Sequence, residues 1–200
     1  MTETSLIVHW LTPDLGRVAT LAKGARRPNS SFRGKLDLFY EADFSFARSR
    51  RSELHTLREV SLRQTHARLR EDMHALQQAA YCIALLEQTT ETETPLPTIH
   101  ALFKSLLTEV VRGASEPRTV LAFEAKLLVE LGQQPDADES KLSPGSRQIY
   151  ARLETEDWPT LARLKLSSAQ ETELRQFLHG YLIYHLGKIP KGRGDALATC

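Results

Sequence analysis

The sequence predicts an α+β chain, with a small antiparallel β-barrel or sandwich followed by an all-α module. Three observations carry this. Short strand-like runs, one rich in β-branched and aromatic residues and two with period-two alternation, recur through residues 1–62, and no helical pattern separates them. From about Ala67 the apolar residues recur every three or four positions instead. The 200-residue length suits one domain or two small ones and is enough to bury a core.

The elements follow in order. Ser5–Thr12 (SLIVHWLT) reads as a strand, closed by the turn chemistry of Pro13-Asp14-Leu15-Gly16. Arg17–Ala22 returns as its hairpin partner, with Val18, Thr20 and Ala22 on one face. Gly24–Gly34 is a loop of Gly, Pro, Asn and Ser. Leu36–Phe46 alternates in its first part and reads as a third strand, and His55–Leu62 as a fourth. Leu69, Met73, Leu76, Ala80 and Ile83 then share a helical face. Gln88–Pro95 is a polar break. Ile99, Leu102, Phe103, Leu106, Leu107 and Val110 define a second helix, stopped by Gly113. Pro117 opens a third helix, which carries Val120, Phe123, Leu127 and Leu131 and ends at Gly132. Asp136–Gly145 is a polar linker. A short helix spans Ser146–Leu153. The last starts near Ser168, with Glu171 as a capping-box partner, and runs through Leu174, Phe177, Leu178, Tyr181 and Leu182 to Gly187. The domains expected are 1–62 and 63–200.

Composition excludes several classes. Apolar residues make up 41% and charged residues 26%, which argues against wholesale disorder. Cys82 and Cys200, far apart, exclude a disulfide framework and a four-cysteine zinc site, and they suit a reducing cytoplasm. No apolar run reaches the ~18–20 residues of a membrane span, and Met1–Thr12 does not read as a signal peptide.

Net charge is only +1, so any affinity for nucleic acid has to come from charge placement. Gly16–Lys35 supplies it. Arg17, Lys23, Arg26, Arg27, Arg33 and Lys35 fall there with no acidic residue among them. A solvated basic loop is the plain reading. The functional reading is a surface that tracks phosphates, since Lys and Arg gain from counterion release on any strand. Phe32, inside the cluster, would stack on a base or fill the core. Smaller basic groups are Arg48, Arg50 and Arg51; Arg63, Arg68 and Arg70; and Lys188, Lys191 and Arg193, the last suited to a helix C-terminus.

Catalytic signatures are missing. There is no Walker loop, G-x-G-x-x-G, H-E-x-x-H or G-x-S-x-G, and the seven histidines show no ligand spacing. Cys82, among Ala79, Ala80 and Ile83, reads as an inert packing residue, and His9 and Trp10 as structural. The expectation is therefore no enzyme, no cofactor and no metal.

One set of residues is more specific than its composition. Glu3-Thr4-Ser5, Leu11-Thr12, Gly16-Arg17, Ala22-Lys23-Gly24-Ala25-Arg26-Arg27, Ser31, Gly34, Leu36 and Phe39 together resemble the N-terminal domain of the bacterial recombination mediator RecO family. Leu57-Arg58-Glu59 is similar to a late strand of that barrel. Phe123-Glu124, Leu127-Leu128, Leu131-Gly132 and Pro135 resemble the family's F-E-x-x-L-L-x-x-L-G-x-x-P helix end, and Tyr184-His185-Leu186-Gly187-Lys188 with Lys191 and Arg193 its closing segment. The likeness runs from Glu3 to about Arg193.

The resemblance implies an OB-fold barrel followed by a helical domain. It also implies binding of single- and double-stranded DNA, strand annealing, and work with RecR and single-stranded-DNA-binding protein to load RecA in the RecF pathway, in the cytoplasm at the nucleoid and away from membranes. Lys23, Arg26 and Arg27 match the family's basic motif and are the first DNA-contact candidates; Arg17, Arg33 and Lys35 follow from charge alone. Three departures stand out. Met1 falls almost on the E-T-S motif, where relatives carry an earlier strand, so the barrel lacks its first strand or the start is assigned too late; the second is favoured. Asp136–Gly145 replaces a four-cysteine zinc ribbon, so no zinc is expected. Leu121-Ala122 stand where some members place an arginine for the acidic tail of single-stranded-DNA-binding protein, with Arg118 or Lys126 as substitutes. A different class stays open: a helical adaptor with a vestigial barrel and little affinity for DNA.

Overall fold

Leu6, Val8 and Trp10 turn the inner side of strand β1 (Leu6–Thr12) onto a small core of Ala22, Phe32, Leu57 and Val60. In the computed structural model, which describes residues 3–113, 116–135 and 141–198, this core belongs to a first unit, Met1–Ala67 with Glu91–His100. A second unit comprises Arg68–Thr90 and Ala101–Cys200.

β1 pairs antiparallel with β2 (Gly16–Ala22), from Leu6↔Ala22 to Thr12↔Gly16. Val18, Thr20 and Ala22 are buried, as their alternation predicts. The three-residue turn Pro13–Leu15 leads into Gly16, the first residue of β2, whose φ of +63° suits glycine. β3 (Glu41–Ala47) pairs antiparallel with β4 (Leu54–Gln64), with irregularities at Glu41/Ala42 and Ser45/Phe46. β2 and β4 run parallel over three residue pairs, so the sheet, ordered β1-β2-β4-β3, is mixed rather than wholly antiparallel. The long passage through residues 23–53 makes that parallel return feasible.

The sheet is rolled. Its outer strands β1 and β3 lie three strand spacings apart, about 14 Å if flat at ~4.8 Å per step. Yet Trp10 on β1 and Phe44 on β3 stack with centroids 4.0 Å apart at 13°. The Trp10 indole also donates to Thr20 Oγ1 at 2.8 Å. This is an OB-fold-like sheet whose two edges meet through side chains, a contact worth ~0.5–1.5 kcal/mol beyond area burial.

One strand boundary differs from expectation. Leu36–Tyr40 is loop with a turn at Leu38 and Phe39, not strand, and β3 begins only at Glu41. The Asp37 carboxylate accepts the Leu38 N–H at 2.8 Å, and Phe39 sits at φ +60°. That local bond competes with a ladder.

The polar break is more than a spacer. Thr92 forms a parallel bridge to Arg17. The Glu93 N–H donates to the Arg17 carbonyl and the Leu96 N–H to the Pro13 carbonyl, each at 3.0 Å. The Glu93 carboxylate meets Arg48 Nη2 and lies 2.9 Å from Nε2 of buried His55. His55 Nδ1 accepts from the Ser49 N–H, and its ring stacks on Phe46.

A 3-10 turn (Ala67–Arg70) at the unit boundary precedes α1 (Met73–Thr89) of the second unit, capped by Asp72 accepting from the Ala75 N–H at 3.0 Å. The expected apolar face is rotated. Met73 is 68% exposed and Ala80 is exposed. Ala75, Ala79, Tyr81, Cys82, Leu85 and Leu86 are buried instead, together with Gln78. Gln78 goes inside because its amide donates to the carbonyls of Glu116 and Ala196. Buried Cys82 is inert packing: burial pushes its thiol well above the usual range, and the Glu124 carboxylate adds to that.

α2 (Pro97–Arg112) buries Ile99, Phe103, Leu106, Leu107 and Val110, and ends at Gly113. α3 (Pro117–Glu130) is buried on nearly every side and is central. α4 (Pro144–Thr155) and α5 (Trp158–Ala162) follow. α6 (Ser168–Leu186) buries Leu174, Leu178 and Leu182. Its capping box pairs Ser167 with Gln170, not Ser168 with Glu171, and Gly187 closes it at φ +70°. α7 (Arg193–Ala196), a single turn, packs against α1.

Among the described residues no helix is long and apolar enough to cross a membrane, and no group of three or more His, Cys, Asp or Glu stands ready for a metal. The zinc-ribbon question falls on Asp136–Gly145, of which 136–140 lie outside the described residues, as does Cys200.

Candidate nucleic-acid interface

The loop after β2 is built from consecutive tight turns. Backbone N–H donors of Arg27, Ser30, Arg33 and Lys35 reach the carbonyls three residues earlier at 3.0–3.1 Å. The Arg26 N–H donates to the Thr4 carbonyl at 3.0 Å, tying the loop to the chain just before β1. Phe32, 8% exposed, anchors it in the core and offers no face to a base. The loop is therefore a fixed platform, although it has no regular secondary structure.

On this platform Lys23, Arg26, Arg27 and Arg33 are exposed and Lys35 is half-exposed. Among the described residues none of the five is in an ion pair. Arg33 Nη1 donates to the Pro28 carbonyl at 3.3 Å and Arg26 Nη1 to the Glu3 carbonyl at 3.5 Å. The Arg27 stem lies beside Gly24, which at φ +67° has no side chain to displace it. Carbonyls orient these guanidinium groups without cancelling their charge.

Arg17 is placed elsewhere. It stands at the other end of β2, six residues from Lys23, or roughly 20 Å at ~3.3 Å per residue. There its backbone meets Thr92 and Glu93. The other basic groups differ in character. Arg63 pairs with Asp43 and Arg48 with Glu93, whereas Arg68 lies 3.9 Å from Asp72.

Arg193 is not a solvated partner of a helix end. It is bidentate to Glu124, Nε to Oε1 at 2.7 Å and Nη2 to Oε2 at 2.8 Å. Tyr81 Oη also donates to Glu124 Oε1. Glu124 is fully buried. Burial opposes the Arg193 charge, but the carboxylate outweighs it and holds the guanidinium above its ordinary value. The Phe123-Glu124 motif and the closing segment are thus two halves of one buried pair. Their spacing of 69 residues carried no sign of it.

The two candidate docking cations of the helical unit are both engaged. Arg118 Nη1 donates to the Leu164 carbonyl at 2.8 Å and lies 3.2 Å from Glu116. Lys126 Nζ donates to the carbonyls of Glu154 and Glu156 at 3.1 and 2.7 Å and sits over the Trp158 ring. Burial lowers the Lys126 pKa, against the pull of Asp157, Glu156 and Glu154. Leu121 and Ala122 are fully buried, so an arginine at either place would stand inside the helical core.

The chain matches two family models in order, one described as Recombination protein O N terminal over residues 1–66 and one as Recombination protein O C terminal over residues 70–141. The "DNA repair protein RecO" of Rhodopirellula baltica is 32% identical over 133 residues, covering 66% of this chain and 49% of that protein. That of Burkholderia pseudomallei is 36% identical over 130 residues, covering 65% and 46%. That of Desulforamulus reducens is 27% identical over 222 aligned positions, covering 94% and 86%. The chain thus spans about half the length of the first two relatives and most of the third. The rolled sheet falls within the first matched stretch, and α1 to α3 within the second. With both stretches matched in chain order, the chain belongs to the RecO family.

Proposed function

We propose that this chain is a DNA repair and recombination mediator that binds single- and double-stranded DNA through the loop after β2. The observation that carries this is the cluster of Lys23, Arg26, Arg27, Arg33 and Lys35, free of ion pairs among the described residues, on a turn-locked loop. Such a surface recognises phosphates in any sequence, as annealing and mediation require. Arg17, at the far end of β2, would extend the same path. The protein acts by binding, not catalysis, in the cytoplasm at the nucleoid. Its partners on this reading are RecR and the C-terminal tail of single-stranded-DNA-binding protein, with RecA loading as the outcome.

Charge reversal tests the assignment. Arg26→Glu with Arg27→Glu weakens DNA binding more than tenfold at low salt, because each change removes one attraction and adds one repulsion. Circular dichroism and the unfolding midpoint stay unchanged, since both side chains are exposed. Unchanged affinity would refute the assignment. Strong binding of RecR with no DNA affinity in the wild-type chain would favour the adaptor reading instead.

A further inference from the structure

Phosphate contacts explain the cations of the basic loop but not the recess among them. A cavity of about 440 Å³ opens there. Leu6, Phe32 and Leu36 give it apolar lining, and Arg26, Arg27 and Arg33 line it too. We propose that this recess seats an unstacked nucleobase, so that the loop reads a single strand by its bases as well as by its phosphates. The proposal rests on the DNA-binding reading above and deepens it.

The chemistry is complementary on both counts. A phosphate gains nothing from an apolar lining, and an apolar ligand gains nothing from three uncompensated guanidinium groups. A nucleotide carries a flat, weakly polar ring joined to an anion, and it uses both. Phe32 is almost wholly buried, so stacking falls to the planes of the arginines, which suit a base well. Gly34 also lines the recess. No atom lies within 4 Å of where a Cβ would be. Because the turns of residues 22–35 are hydrogen-bonded and Arg26 and Arg33 already rest on carbonyls, little order has to be created on binding. In a duplex the bases are stacked inside and cannot enter, so the recess favours unpaired strands.

The test compares three fluorescent ligands of equal length at equal salt with the full chain: oligo-dT, the same oligomer made of abasic residues, and a duplex. The abasic strand keeps every phosphate and loses every base. Oligo-dT binds about tenfold tighter than the abasic strand. In a Leu36→Ser variant this difference shrinks to less than threefold, while the dependence on salt is unchanged. Oligo-dT and abasic strand binding equally to the wild-type chain would overturn the base pocket and leave phosphate binding intact. No binding of any of the three would refute the DNA-binding reading itself, and the pocket with it. Displacement of oligo-dT by a short peptide of aspartate and leucine, at concentrations below those of competing dT, would make the recess a peptide groove and overturn the proposal. Leu36 is only half-buried. Should Leu36→Ser still unfold the chain, the wild-type comparison alone decides.

Discussion

Replacing Glu124 by Ala destabilises the helical unit by roughly 3–5 kcal/mol, measured as the free energy of urea unfolding. The size follows from what is left behind. Glu124 is fully buried and takes two guanidinium hydrogen bonds from Arg193 and one hydroxyl from Tyr81. Its removal leaves a cation that is only 11% exposed without a counter-charge, and a buried hydroxyl without an acceptor. Removing both charges is a different matter. The double change Glu124→Leu with Arg193→Met leaves no charge stranded and returns stability to within about 1–2 kcal/mol of wild type. A loss below about 1 kcal/mol for Glu124→Ala alone would mean that solvent already reaches the pair.

The second large effect is at the turn between β1 and β2. Gly16→Ala lowers the stability of the first unit by at least about 2 kcal/mol, from two sources. The residue sits at φ +63°, and a Cβ there would lie 1.8 Å from the Thr94 carbonyl oxygen. The 91–96 segment has to withdraw, taking with it the Glu93 contacts to Arg48 and His55. Gly34→Ala is the internal control. It has a similar φ of +71° but open space around the missing Cβ, so only the backbone penalty of about 1 kcal/mol applies. Equal losses for the two variants would show that the 91–96 segment is not packed against the turn.

The sequence made legible whatever repeats. β-Branched and aromatic composition located β1, alternation located β2, and the i, i+3, i+4 pattern of Ile99 to Val110 located α2 together with its buried face. Turn chemistry located the basic loop, because Gly, Pro, Asn and Ser act through the local backbone. Contacts distant in sequence leave no such trace. Leu36 to Tyr40 alternates like a strand, yet Leu36 packs on the core from a loop. Met73, Leu76, Ala80 and Ile83 have helical spacing, yet the face with Tyr81, Cys82, Leu85 and Leu86 is buried, and Gln78 is accommodated there because two distant carbonyls accept its amide. Arg193 looked like a dipole partner because Glu124, 69 residues away, is invisible to periodicity.

The candidate site followed the same division. Lys23, Arg26, Arg27, Arg33 and Lys35 were readable as a cluster because they are neighbours in the chain. The separation of Arg17 was hidden, because six residues of strand carry a side chain much farther than six residues of loop. The apolar recess was hidden too. It joins Leu6 of β1 to Leu36 beyond the loop, 30 residues apart in sequence.

Phosphate binding by the loop after β2 is tested most directly by one titration. Fluorescence anisotropy of labelled single-stranded DNA across a salt series is compared for the wild-type chain and for Lys23→Ala/Arg26→Ala/Arg27→Ala. The wild type binds with a steep loss of affinity as salt rises. The triple variant binds more weakly, and the slope of log affinity against log salt falls by about 2, at ~0.7 for each single-strand phosphate that is no longer neutralised. The same slope and affinity in both proteins would contradict this assignment, because DNA would then be held elsewhere on the chain.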